Sequence, residues 1–295
     1  MKRIFLVNPA AGGVTPARIQ KELKSLGEVR VCSSRKDLIR RTREAISRGF
    51  DQIVAVGGDG TVNAVANGFF PGGVDTPPAR PALGVAPFGT GSDYFRTLAG
   101  SEEWTEILLH PKVVLADVGW ISQDGGAGSC FLNLASVGAS AEVVKRKESL
   151  PRWVPKKLRY VLPTIQQMAV VRPFPATIEV DDEKIPGNFL NVFVAKGTWA
   201  GGGMRFGAER PLADGLFHVT LVEAMSPAKA LKNLPLLFLG RLEEAEGIRV
   251  MKARMVRVTS PVAVPIEADG ETIGSGSVEF RLLPKKLRVC VSRSS

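Results

Sequence analysis

Apolar residues fall in short runs separated by polar, glycine-rich turns, and the rhythm changes partway along the chain. Residues 4–7, 53–56 and 83–86 are continuous apolar runs of strand length, with a shorter strand at Val29-Arg30-Val31. A run without alternation predicts a strand covered on both faces, as in a parallel sheet under helices. Helical periods lie between these strands. Thr15 and Pro16 form an N-cap with proline at the first helical position; Ile19, Leu23 and Leu26 then recur on one face, and Gly27 closes the helix. Ser34 with Asp37 marks a second start, with Leu38, Ala45 and Ile46 on its apolar face and Gly49 as its stop. A small-residue helix over 62–67 ends at Gly68. This βαβαβ order predicts a doubly wound α/β domain over residues 1–112, rejoined by 283–295. The proline- and glycine-rich segment 71–81 reads as a loop inside it.

From residue 113 strand-like pieces dominate, at 113–115, 130–135, 176–180, 189–195, 217–222, 254–258, 262–266 and 278–282. Turn signals at Gly125-Gly126, Gly201-Gly202-Gly203 and Asp269-Gly270 fall between them. Residues 113–282 therefore read as an antiparallel β-sandwich domain, interrupted by a basic helical stretch near 138–170.

Composition excludes several classes. With 295 residues, 44% hydrophobic and 23% charged, the chain is neither disordered nor collagen-like. No apolar stretch approaches the ~18 residues that cross a bilayer. The run 4–7 stops at Asn8-Pro9, short of the ~7–15 apolar residues of an export signal. The expectation is a cytoplasmic protein, with attachment to the inner face of a membrane left open. The net charge of +10 attracts nucleic acid, anionic headgroups or phosphorylated small molecules, and by itself does not choose among them. Cys32, Cys130 and Cys290 have no zinc spacing and read as buried thiols. His110 and His218 are too few for a histidine metal site, and His218 reads as a strand-face residue.

Three loops carry candidate chemistry. Strand 53–56 runs into Gly57-Gly58-Asp59-Gly60-Thr61 and then a helix. Glycines let backbone N–H groups approach a ligand, and a helix N-terminus favours anions, so phosphate is the natural guest. Asp59 would repel that phosphate unless a cation or a donor network compensates. Asn8-Pro9-Ala10-Ala11-Gly12-Gly13 and Pro87-Phe88-Gly89-Thr90-Gly91-Ser92-Asp93 follow other strands of the same sheet. Loops at the carboxyl ends of strands in an open α/β sheet share one crevice. None of the three fits a Walker or dinucleotide fingerprint.

Taken together, Asn8-Pro9-x-x-Gly12, Gly57-Gly58-Asp59-Gly60-Thr61-Val62-Asn63 with Asn67-Gly68, and Pro87-x-Gly89-Thr90-x-x-Asp93 resemble the diacylglycerol kinase catalytic-domain family. The resemblance continues through Phe131-Leu132-Asn133 with Gly138, Gly201-Gly202-Gly203, Pro211-Leu212-Ala213-Asp214-Gly215-Leu216 and Asp269-Gly270-Glu271. It implies an ATP-dependent lipid kinase of two domains, NAD kinase/diacylglycerol kinase-like in fold, with the nucleotide between them. Carried over by position, Asn8, Ser33, Gly57, Gly58, Asp59, Gly60, Thr61, Asn63, Gly89 and Thr90 would hold ATP. Glu271 would take the proton from the lipid hydroxyl. Asp214 would bind Mg²⁺ with the backbone carbonyls of Pro211 and Leu216. The chain departs from the family pattern at Ala64, where glutamate is common, and at Ser92, where asparagine is common. Phosphoryl transfer needs chiefly positioning, charge neutralisation and a carboxylate to accept a proton, and this set supplies them.

Residues 142–160 hold Lys145, Arg146, Lys147, Arg152, Lys156, Lys157 and Arg159 interleaved with Trp153, Val154, Leu158 and Tyr160. For an enzyme with a lipid substrate they read as a face for anionic membrane, centred on Lys145, Arg146, Lys147, Lys156 and Lys157. No nucleic-acid partner is expected, and a homodimer is left open. An NAD kinase-like enzyme of small molecules would share the phosphate loop but explains poorly the Asn8-Pro9 loop and Asp269-Gly270-Glu271. A catalytically inactive basic nucleotide- or nucleic-acid-binding module is the third reading.

Overall fold

The computed structural model describes residues 1–10, 21, 23–89, 92–123, 125–138, 172–201, 203–206 and 212–293. The chain divides into two compact units, Met1–Val118 with Leu283–Ser295, and Gly119–Leu282. The architecture is the α/β-plus-β-sandwich class that the sequence predicts.

In the first unit, β1 (Arg3–Val7), β2 (Glu28–Val31), β3 (Gln52–Gly57) and β4 (Ala82–Pro87) form a parallel sheet in the order β2-β1-β3-β4. The C-terminal segment adds a parallel pairing of Val289 with Leu83 on the far side of β4. All residues of β1 and β3 are buried, which is what an unalternating apolar run requires. The helices described are α1 (Arg35–Ser47), α2 (Asp59–Gly68), α3 (Asp93–Ala99) and α4 (Trp104–Leu109). Ser34 caps α1 by accepting the Asp37 N–H at 3.2 Å, and the Asp37 carboxylate returns the contact to the Ser33 N–H at 3.1 Å. The arrangement is a variant of the capping box, with the return bond reaching the residue before the N-cap. The helix start at Thr15 and Pro16 lies outside the described residues; Leu23 from its apolar face is buried. Segment 71–81 is a loop holding one short 3-10 turn, Gly73–Asp75.

The chain enters the second unit along β5 (Lys112–Ser122) and continues through β6 (Ser129–Phe131), β7 (Leu134–Gly138), β8 (Phe174–Val180) and β9 (Glu183–Ala195). Then come β10 (Trp199–Ala200), β11 (Met204–Arg205) and β12 (Phe217–Glu223). The set closes with β13 (Ile248–Ala253), β14 (Met255–Thr259), β15 (Pro265–Ala268), β16 (Glu271–Ser275) and β17 (Val278–Val291), whose end reaches back into the first unit. Strand β9 organises the unit. Its first half pairs with β8, and its second half pairs with β7 on one side and β12 on the other, all antiparallel. The core between is aromatic: the Phe131 ring stacks on Phe217 at 5.7 Å and meets Phe280 edge-on at 6.2 Å. All three rings are fully buried, and truncating such a ring to alanine costs about 3–5 kcal/mol.

One helix in this unit has no counterpart among the predicted elements. α5 (Pro227–Leu239) is capped by Ser226, begins with Pro227 and ends at Gly240 in the left-handed region. It carries Pro235 in its interior, so the break that proline predicts did not end the helix. The basic stretch 142–160 lies outside the described residues.

Candidate functional site

In the first unit the three loops meet at the carboxyl edge of the sheet. The Asn8 amide donates to Thr61 Oγ1 at 3.0 Å, tying the first loop to α2, while its carbonyl oxygen accepts the Ala10 N–H. Gly58 is the N-cap of α2 and offers no side chain; the Thr61 N–H is given to the Gly58 carbonyl at 2.9 Å, which leaves, among the described residues, the N–H groups of Asp59 and Gly60 for an external acceptor. Two of the glycines are also required by packing within the protein. A Cβ on Gly89 would sit 2.6 Å from Gly58 N, and one on Gly57 would strike Thr61. Gly89 thus lets its loop close on Gly58, and Gly57 leaves room for the Thr61 side chain within its own strand-to-helix turn.

Asp59 is satisfied by the second of the two expected means. Its carboxylate accepts the N–H groups of Asp93 at 3.2 Å and Tyr94 at 3.0 Å, anchoring the start of α3 to the phosphate loop. The left-handed Ser92 at φ 55° makes the turn into α3. Thr61 and Asn63 are buried in α2. Asn63 Oδ1 accepts Arg35 Nη2 at 2.6 Å and Asn67 Nδ2 at 3.0 Å. Arg35 is a residue that sequence reasoning did not single out; its place one residue after a helix cap on the same edge was the only signal. Ser33 is exposed beside it, with its N–H given to Asp37. Thr90 lies outside the described residues.

The second unit carries the carboxylates. Asp269 and Gly270, at φ 48° and 83°, make the two-residue turn joining β15 to β16, and Ala268 pairs with Glu271 across it. The Asp269 side chain turns back to accept three consecutive backbone N–H groups: Leu132 at 2.8 Å, Asn133 at 2.8 Å and Leu134 at 3.1 Å. Glu267 is buried between the Ser136 hydroxyl at 2.9 Å and the Gly270 N–H at 3.1 Å. Glu271 is exposed at the head of β16. Two of the three carboxylates therefore hold the hairpin, and the third is exposed.

Asp214 is differently placed. The Lys196 ammonium lies 2.6 Å from its Oδ1, the Leu216 N–H 3.3 Å from the same oxygen, and His218 Nε2 3.6 Å from Oδ2. Burial pushes the Asp214 carboxyl upward, but the hydrogen bond and charge of Lys196, with the Leu216 N–H and His218, outweigh it and hold the group below its ordinary value. Pro211 lies outside the described residues, and among the described residues no cluster of three or more His, Cys, Asp or Glu side chains gathers as a metal cage. Among the described residues no helix is long and apolar enough to cross a membrane.

Comparison with known proteins agrees with both units. Residues 2–121 match the Diacylglycerol kinase catalytic domain, and residues 133–291 match the YegS C-terminal NAD kinase beta sandwich-like domain. A diacylglycerol kinase of Bacillus subtilis (strain 168) is 28% identical over 263 residues, covering 87% of this chain and 83% of that protein. An Enterobacter sp. (strain 638) protein named "Probable lipid kinase YegS-like" is 26% identical over 294 residues, covering 96% and 93%. The crystal structure of a diacylglycerol kinase from Bacillus anthracis str. Sterne matches with a TM-score of 0.74 at 21% identity, over 99% of this chain and 97% of that one, a likeness of fold. With more than half of its length in the YegS C-terminal domain and its first part matched to the diacylglycerol kinase catalytic domain, the chain belongs to the YegS-type family and is a lipid kinase of the diacylglycerol kinase/YegS type.

Proposed function

We propose that the chain transfers the γ-phosphoryl group of ATP to the hydroxyl of a lipid, diacylglycerol in the first instance, with Glu271 as the general base. One observation carries the reading: in the Asp269-Gly270-Glu271 hairpin, Asp269 is consumed by three backbone donors while Glu271 stands exposed two residues on. A rigid turn that presents one unengaged carboxylate suits a group that must accept a proton from an incoming alcohol. ATP is assigned to Asn8, Ser33, the segment Gly57-Gly58-Asp59-Gly60-Thr61, Asn63, Gly89 and Thr90. The N–H groups of Asp59 and Gly60, at the start of α2, face the phosphates in this reading. Arg35 Nη1, buried and without a hydrogen-bond partner, adds a donor beside Asn63. ATP brings its own Mg²⁺, which neutralises charge on the β- and γ-phosphates.

The acceptor comes from a bilayer, and the basic stretch 142–160 is the proposed contact with anionic lipid. The test is ADP release against a panel of lipids in mixed micelles, comparing the wild type with Glu271→Gln. The expected result is turnover on diacylglycerol, and a kcat reduced by ~10²–10⁴ in the variant with ATP affinity unchanged. Turnover only on NAD would replace the lipid reading. Wild-type turnover by Glu271→Gln would remove Glu271 from the role of base.

A further inference from the structure

We propose that Lys196 is a built-in cation at Asp214, standing where the family resemblance puts Mg²⁺, so that this chain holds its Asp214-Gly215-Leu216 turn with no divalent ion. The pair is enclosed: the Lys196 side chain is 4% exposed and Asp214 16%. Nζ meets Oδ1 at 2.6 Å, a full charge-assisted hydrogen bond. The lysine is not swung in from solvent. It directly follows β9, and its own N–H is fixed to the Asn133 carbonyl at 2.8 Å, as is that of Gly197 at 2.9 Å. A Cβ on Gly197 would lie 2.7 Å from Asn133 Oδ1, so the chain is pressed against this segment as it leaves Lys196.

The surroundings of Asp214 are those of a carboxylate that has already met its cation. Oδ1 also takes the Leu216 N–H, and Oδ2 faces the His218 ring nitrogen. Mg²⁺ demands near-octahedral oxygen ligands at about 2.0–2.1 Å and gives up water reluctantly. Here the oxygens already face an ammonium, a backbone donor and an imidazole, and a divalent ion would have to displace a lysine whose side chain is 4% exposed. An ammonium and Mg²⁺ on one carboxylate would also repel each other strongly in so enclosed a place. The residues present therefore do not fit the implied metal, and they do fit a permanent internal ion pair.

The same lysine links the two acidic turns of the unit. Asn133, which takes the Lys196 and Gly197 N–H groups on its carbonyl, gives its own N–H to Asp269. Lys196 is thus a positioning residue that ties the Asp214 turn to the hairpin bearing Glu271. The inference does not depend on which lipid is the acceptor. It also leaves the Mg²⁺ delivered with ATP untouched.

The test uses full-length protein without nucleotide, so that ATP-borne metal plays no part. Mn²⁺ binding is followed by electron paramagnetic resonance, and thermal unfolding is compared in EDTA, in MgCl₂ and in NaCl of equal ionic strength. The expected result is no stoichiometric Mn²⁺ below a Kd of about 1 mM, the upper end of weak binding, and the same Tm in MgCl₂ and NaCl. Lys196→Met should lower Tm by about 5 °C, because it takes the ammonium from a partly buried carboxylate that keeps only the Leu216 N–H and His218. It should also acquire a Tm rise specific to Mg²⁺, absent from the double variant Lys196→Met/Asp214→Asn. One tightly bound Mn²⁺ per wild-type chain, lost in Asp214→Asn, would overturn the proposal. So would a Lys196→Met protein of unchanged stability that ignores Mg²⁺. If Lys196→Met does not fold, the wild-type metal titration still decides. Lipid kinase activity, measured separately, stands or falls on Glu271 and distinguishes failure of this inference from failure of the functional reading.

Discussion

Replacing Asp269 is the sharpest probe of how the hairpin is held. Its carboxylate accepts from Leu132, Asn133 and Leu134 at 2.8, 2.8 and 3.1 Å. A hydrogen bond to a charged group contributes about 1.5–3 kcal/mol. Three donors share one partly exposed acceptor, so the total falls short of the sum, at about 3–5 kcal/mol. Asp269 also sits at φ 48°, where alanine adds about 1–2 kcal/mol of strain and asparagine adds little. Asp269→Ala should therefore destabilise the second unit by about 4–7 kcal/mol, and Asp269→Asn, which keeps one oxygen and the turn, by about 2–3 kcal/mol. With an m-value of ~2 kcal/mol/M, the urea midpoint falls by about 2–3.5 M and about 1–1.5 M respectively. Circular dichroism measures this, and hydrogen exchange should show lost protection at the amides of residues 132–134. Both variants should lose kcat, since Glu271 stands two residues on. An alanine variant within 0.5 kcal/mol of wild type, the scatter of an ordinary surface substitution, would refute the reasoning.

Gly89→Ala places a Cβ 2.6 Å from Gly58 N and forces the two loops apart. ATP affinity by calorimetry should fall at least about tenfold, in line with an overpacking cost of about 1–3 kcal/mol; unchanged affinity would detach this loop contact from nucleotide binding. Replacing Lys145, Arg146, Lys147, Lys156 and Lys157 with glutamine should weaken binding to anionic vesicles by several kcal/mol, at about 1 kcal/mol per basic residue. Activity on a short-chain soluble acceptor should persist, and equal losses on both acceptors would point to a damaged site instead. All three cysteines are buried thiols outside any disulfide. Burial, then the charge of Asp37, raises the Cys32 thiol to about 11 against the pull of Arg41 and Arg40. At pH 8 only about one Cys32 in a thousand is then thiolate. Iodoacetamide should modify the native protein slowly and all three cysteines in urea, read by mass spectrometry; rapid native labelling of Cys32 would contradict the burial.

Legibility followed the range of the interaction. Ser34 and Asp37 cap α1 across three residues, and the sequence displays both partners in one glance. Continuous apolar runs announced β1, β3 and β4 because a strand buried on both faces tolerates no polar alternation. α5 shows the opposite error. Its Ser226 cap, Pro227 and Gly240 were all legible, but a strand-dominated setting and Pro235 hid them. The Asp269-Gly270 pair was legible as a hairpin turn, and it is one.

What the sequence by itself determined is the set of local conformations and the motif order that identifies a lipid kinase: strand, glycine loop, helix, and the late Asp-Gly-Glu hairpin. Only the tertiary structure decided what each acidic residue does. Asp59 and Asp269 accept backbone N–H groups 34–35 and 135–137 residues away, contacts that no local pattern encodes. The charge at Asp214 was decided by Lys196, eighteen residues back. The physical reason is that a carboxylate's role depends on which donors and cations surround it. Those neighbours are brought together by sheet register and chain crossing, not by their spacing along the chain.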